Sequence, residues 1–153
     1  MPRFKTDFEE TFIVPVSQEV ASAHFGDLET IARNYGPLES WKKLDEDRLH
    51  LRLAPISDKG VTFHGEHVCA YQRPSAGRLT WKTTESSNLW SQGEATFTAE
   101  GASSTRVRFR QTMEVEMKVN ALLAKVIAPI VNMKTRQGIA EYLQRMRATL
   151  PGA

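Results

Sequence analysis

The chain lacks almost every feature that would announce a chemistry on its own. Its 153 residues hold a single cysteine, Cys69, so no intrachain disulfide can form and a reducing compartment fits. It contains no Gly-rich phosphate loop, nucleophile elbow, dinucleotide fingerprint or helical His-Glu-x-x-His pattern. The formal net charge of +2 is small and dispersed, which argues against nucleic acid as a partner. The opening residues, from Met1 to Glu10, form no apolar signal core. The longest strongly apolar run, 121–131, is interrupted by Lys125 and Pro129 and is about half the length of a membrane span. These absences lead to an expectation of one soluble, cytoplasmic domain over 1–150 with a loose tail at 151–153. The expected state is a monomer or homodimer without metal or cofactor.

What is present is periodicity. Over 4–14 the chain alternates, with Phe4, Thr6, Phe8, Glu10, Phe12 and Val14 on one face of a half-buried strand that Pro15 closes. Ser17 is placed to cap a short helix ending near Phe25, and Asp27 a second over 28–34, stopped by Tyr35-Gly36-Pro37. Six further strands are expected over 38–44, 48–53, 61–72, 78–84, 89–99 and 105–117. Turn signals between them recur every ten to fifteen residues, the spacing of an antiparallel meander. The final stretch, 119–150, reads as a long helix. Its first half is apolar over most of its circumference, while Ile139, Leu143, Met146 and Leu150 make a single stripe in the second. Lys134, Arg136, Arg145 and Arg147 fall on the opposite side of that half. Pro129 either kinks this helix or starts it, with Asn120 capping an earlier piece. The strands need one face covered, and only this helix is long enough to cover it.

Strand parity nominates inward residues. On 61–72 these are Val61, Phe63, Gly65, His67, Cys69 and Tyr71; on the following strands they are Leu79, Trp81 and Thr83, then Leu89, Ser91, Gly93, Ala95 and Phe97. The small residues among them either leave volume unfilled or mark bends in a curved sheet. Glu10, His67, Tyr71 and Gln111 are polar groups on the apolar face, each of which needs a partner, a ligand or a place at the rim. Gln111 is either a cavity group or a partner for Glu10. His64 and His67 do not make a metal site, since residues three apart on a strand point to opposite faces. Arg106, Arg108 and Arg110 form an outer basic row with glutamates beside it, which reads as a solvated, ion-paired face.

The order of elements resembles the START/Bet v 1-like (SRPBCC) superfamily, in particular its bacterial polyketide cyclase/dehydrase-like and lipid-transport-like members. The resemblance is carried by Phe12-Ile13-Val14-Pro15-Val16-Ser17 with the helix after it, the Gly26-Asp27 break, the meander with Arg78-Leu79-Thr80-Trp81, and the closing helix after Pro129. It implies an α+β helix-grip fold: a seven-stranded curved antiparallel sheet wrapped around the C-terminal helix, two short helices between strands 1 and 2, and a cavity between sheet and helix. It also implies a bound apolar or amphipathic small molecule, lipid- or polyketide-like. The expected walls are Phe8 and Phe12 on the first strand, Phe63, His67 and Tyr71, then Trp81, Ser91 and Phe97, and Phe109, Gln111 and Met113. Val126, Ile130 and Met133 are expected from the helix. An alternative is a cyclase- or dehydratase-type enzyme with His67 as general base and Tyr71 and Glu10 orienting or acting as acid. A second alternative is a protein-interaction module.

Overall fold

A computed structural model describes residues 2–152; of the expected tail, Ala153 lies outside the described residues. Strand β1 (Arg3–Val14) is followed by two short helices, α1 (Gln18–Gly26) and α2 (Leu28–Asn34). Then come β2 (Leu38–Lys43), β3 (Arg48–Leu53), β4 (Ile56–Asp58), β5 (Val61–Phe63), β6 (Glu66–Ser75), β7 (Arg78–Ser86), β8 (Leu89–Gly101), β9 (Ser104–Glu116) and the long helix α3 (Ala121–Ala148). Seven strands form one antiparallel sheet in the order β1-β9-β8-β7-β6-β3-β2, and β4 and β5 form a separate hairpin. The architecture is α+β, with α3 crossing the concave face of the curved sheet.

The local signals act as their chemistry requires. Ser17 Oγ accepts from Val20 N at 3.2 Å, Asp27 Oδ2 from Thr30 N at 3.0 Å, and Asn120 Oδ1 from Leu123 N at 2.8 Å, so each helix begins on a side-chain cap. α3 runs unbroken through Pro129, which replaces the alternative of two pieces divided there. On β1, Thr6, Phe12 and Val14 are buried and the alternate residues exposed, as the period predicts. β1 pairs with β9 along its whole length, so the first and last strands are neighbours at one edge of the sheet, with β2 at the other.

One expected strand divides. Val61 and Phe63 belong to the hairpin, and the sheet resumes only at Glu66. Gly65 lies at the break, where a Cβ would stand 2.8 Å from the Phe63 ring, so the missing side chain is occupied by that aromatic. Gly93 behaves similarly: a Cβ there would meet the Arg110 carbonyl oxygen and, at 2.6 Å, the Trp81 indole. These small inner residues therefore seat large neighbours and do not leave space.

The core concentrates at one end. Phe25 of α1 packs between Phe12 and Phe97, with ring centroids 6.1 and 5.9 Å away. The stripe Ile139, Leu143, Met146 and Leu150 is buried against it. α1 and α2 also grip the end of α3 through polar bonds. His24 Nε2 lies 2.8 Å from the Met146 carbonyl oxygen, and Arg145 Nε donates to the Asn34 carbonyl oxygen at 2.8 Å. The first half of α3 is different. Apolar over most of its circumference, it nevertheless leaves Leu122 (76%), Val126 (56%) and Met133 (57%) exposed.

The outer sheet face is ion-paired: Arg108 Nε meets Glu9 Oε1 at 2.8 Å, Arg106 Nε meets Glu100 Oε1 at 3.0 Å, and Arg110 reaches Glu94 at 3.8 Å. Among the described residues no helix is long and apolar enough to cross a membrane. The asymmetry of α3 has a measurable consequence. In chemical denaturation Leu143→Ala is expected to cost about 2–5 kcal/mol by leaving a void in the packed end. Leu122→Ala, on the overhanging end, is expected to change stability by less than about 0.5 kcal/mol.

Candidate functional site

The ungripped half of α3 stands over the sheet and encloses a cavity of about 310 Å³. That size falls at the lower end of the range for small-molecule sites, about 300–1,000 Å³. Its floor is the inner face of β6 to β9: Tyr71, Leu79, Trp81, Leu89, Ser91, Phe109, Gln111, Met113 and Val115. Its roof is the face of α3 that carries Ile127, Ile130, Val131, Thr135, Gly138 and Tyr142. The back wall includes Phe25 and Tyr35, and the β4–β5 hairpin with Leu53 and Pro55 flanks the mouth.

The sequence nominations divide. Phe63, Tyr71, Trp81, Ser91, Phe109, Gln111, Met113 and Ile130 line the cavity. Phe12 and Phe97 are in the packed end around Phe25 instead. Phe8 lies edge-on against Phe109, centroids 6.2 Å apart, and is not part of the lining. Val126 and Met133 point to solvent, because the cavity-facing side of α3 passes through 127, 130, 131, 134 and 138.

The proposed acid/base trio is not assembled. Glu10 sits on the far rim, where its Oε2 pairs with Arg147 Nη1 at 3.5 Å and the guanidinium covers the Phe12 ring at 4.6 Å. Its partner is therefore Arg147 and not Gln111, whose Oε1 accepts from Trp81 Nε1 at 3.0 Å. His67 is buried behind the lining, with Nδ1 2.8 Å from Thr83 Oγ1 and Nε2 3.4 Å from the Tyr35 hydroxyl. Both ring nitrogens are committed, so it is a core histidine holding Tyr35 in place. Burial and the neighbouring His50 lower its pKa to about 4, which keeps the ring neutral. His64 turns the other way, toward Glu39 at 3.2 Å. Of the trio, Tyr71 alone faces the cavity.

The interior is apolar with a few hydroxyls and amides. Burial raises the phenol pKa values of Tyr35, Tyr71 and Tyr142 and pushes the Cys69 thiol up to about 12, so all four stay neutral. Among the described residues the charged groups of the lining lie at the mouth, where Lys134 Nζ of α3 meets Asp58 Oδ2 of β4 at 3.4 Å and Lys59 is exposed beside them. Lys134 was expected on the solvent side of the helix. Tyr35, Tyr142, Gly138 and, from the hairpin, Ile56, Asp58 and Lys59 are not anticipated as wall residues, whereas Phe63 of the same hairpin is. The sequence marks Tyr35 only as a helix stop. Gly138 and Tyr142 continue the four-residue spacing from Lys134, a signal masked by the stronger Ile139–Leu143 stripe.

The state of His67 predicts an acid response. Its folded pKa of about 4 lies below the ordinary value of 6.5, so the unfolded chain takes up the proton first as pH falls. Its contribution is present above pH 6.5 and lost as pH falls toward 4, by about 3 kcal/mol in total. His24, whose pKa burial also lowers, acts in the same direction. Denaturation midpoints of His67→Gln are expected to depend less on pH between 6.5 and 4 than those of the parent, and equal slopes would contradict this assignment.

No family model matches the chain, and no curated protein sequence does. Solved structures do match. A START superfamily protein from Mycobacterium smegmatis superimposes with a TM-score of 0.64 at 16% identity, over 95% of this chain and 99% of that one. The Zhui aromatase/cyclase from a Streptomyces species gives a TM-score of 0.65 at 12% identity, over 94% and 92% of the two chains. Truncated norcoclaurine synthase from Thalictrum flavum gives 0.62 at 9% identity, over 100% and 98%. Pairing of β1 with β9, the α1–α2 pair after β1 and a grasped C-terminal helix are all present here, and the chain has the START/Bet v 1-like (SRPBCC) helix-grip fold.

Proposed function

We propose that the protein binds or carries an apolar or amphipathic small molecule, lipid- or polyketide-like, in the cavity between the sheet and α3. The observation that carries this reading is the apolar cavity between β6–β9 and α3, and Gly138 stands at its open edge. A glycine in the interior of a helix costs about 1 kcal/mol relative to alanine. Gly138 lies on the cavity face of α3, between Thr135 and Tyr142, and nothing stands within 4 Å of where its Cβ would be. No neighbour requires the missing side chain, in contrast to Gly65 and Gly93. Gly138 is exposed, so the space it leaves opens the mouth of a cavity that is apolar inside and, among the described residues, has its ion pair at the mouth, the arrangement an apolar ligand needs. The names of the structural neighbours, a START protein and an aromatase/cyclase, agree with this reading. The lone, buried Cys69 suits a reducing compartment, and a cytoplasmic location is part of the proposal. No observation favours the catalytic alternative, because His67 has no free ring nitrogen to act as a base.

Gly138→Leu separates stability from binding. It is expected to raise the unfolding free energy by about 0.5–1 kcal/mol through helix propensity. It is also expected to abolish the saturable fluorescence enhancement of the neutral probe N-phenyl-1-naphthylamine that the parent protein produces. Undiminished probe affinity in a folded Gly138→Leu protein would place binding somewhere other than this cavity.

A further inference from the structure

Besides the small hydroxyls of Ser91 and Thr135, the latter donating to the Val131 carbonyl oxygen, the cavity holds phenols and one amide. Tyr71 of β6 and Tyr142 of α3 both line it, from floor and roof. Among the described residues neither hydroxyl has an oxygen or nitrogen hydrogen-bond partner, and the polar neighbour of Tyr71 is the Cys69 thiol, a weak one. The third phenol, Tyr35, is different: His67 Nε2 holds its hydroxyl at 3.4 Å while its ring lies 6.0 Å from that of Tyr142. Gln111 spends its carbonyl oxygen on the Trp81 indole N–H, which leaves its amide N–H groups directed elsewhere. The polar groups so identified are an amide donor and two neutral phenols, which donate more readily than they accept. Among the described residues the cations of the lining stand at the mouth, where Lys134 is paired with Asp58 and Lys59 is exposed on the hairpin, so none sits beside the phenols.

We propose that the Tyr71 and Tyr142 hydroxyls, assisted by the Gln111 amide, select a neutral apolar ligand that carries a carbonyl-type acceptor, such as a ketone, quinone or lactone. This rests on the cavity being the binding site and specifies what it takes. A ligand with no acceptor would leave these donors covered and unpaired, which costs affinity that a matched acceptor recovers. Trp81 supplies a flat wall for such a molecule, stacked on Phe109 at 5.1 Å and 28°.

The test uses a pair of rigid probes of nearly equal shape, 9-fluorenone and fluorene, titrated into the full chain and into Tyr71→Phe, Tyr142→Phe and the double variant. Each substitution keeps the ring and removes only the hydroxyl, so the fold is retained. The ratio of fluorenone to fluorene affinity is expected to fall about tenfold for each hydroxyl removed that bonds the carbonyl. The infrared carbonyl band of bound fluorenone is expected to lie at lower frequency in the parent than in the double variant. An unchanged ratio and an unshifted band in the double variant would overturn the donor assignment while leaving the cavity as the binding site. Failure of the parent to bind either probe, with Gly138→Leu indistinguishable from it, would instead remove the cavity reading and this proposal with it.

Discussion

The structure depends on how the concave face of the sheet is kept from water. Seven strands present an apolar inner surface, and one helix must cover it. α3 does so unequally. Its C-terminal half sinks Ile139, Leu143, Met146 and Leu150 into the core and is gripped by His24, Asn34 and the α1–α2 pair. Its N-terminal half lacks that grip and stands off the sheet. The cavity is the space this difference leaves.

The two halves thus divide the work of folding and binding. The packed end, with Phe12, Phe25 and Phe97 around the α1 plug, provides a rigid base against which the open end can be held without being filled. Within the open end several features lower stability: a glycine mid-helix, phenols lacking strong partners, and exposed Leu122, Val126 and Met133. A ligand that fills the space and satisfies the hydroxyls would recover part of that loss, so binding and stability are thermodynamically linked. The Lys134–Asp58 pair spans the mouth between helix and hairpin, but both partners are substantially solvated, so it adds little to stability.

Much of the architecture was legible because it rests on short-range chemistry. Alternation on β1 and β9, the caps at Ser17, Asp27 and Asn120, and the Ile139–Leu150 stripe each require only neighbouring residues. Parity also placed Tyr71, Trp81, Ser91, Phe109 and Gln111 on the inner face, where they line the cavity. It could not distinguish which inward residues face the open end and which the packed end. Phe12, Phe97 and His67 obey the same alternation yet are consumed by Phe25, Thr83 and Tyr35. Val126 and Met133 failed for another reason. An apolar run in a helix does not reveal which of its sides lacks a neighbour.

By itself, the sequence determined the types and order of the helices and the seven sheet strands, though not the β4–β5 hairpin, and the inward face of most strands, because backbone geometry repeats every two or 3.6 residues and side chains follow it. Tertiary structure alone decided where the space lies. It broke the expected strand at Gly65, set Glu10 against Arg147, brought Lys134 to Asp58, and gathered Tyr35, Tyr71 and Tyr142 from three distant segments into one interior. The physical reason is that a cavity is a mismatch between surfaces. It depends on the distance and tilt of a helix above a curved sheet, and no local period encodes either.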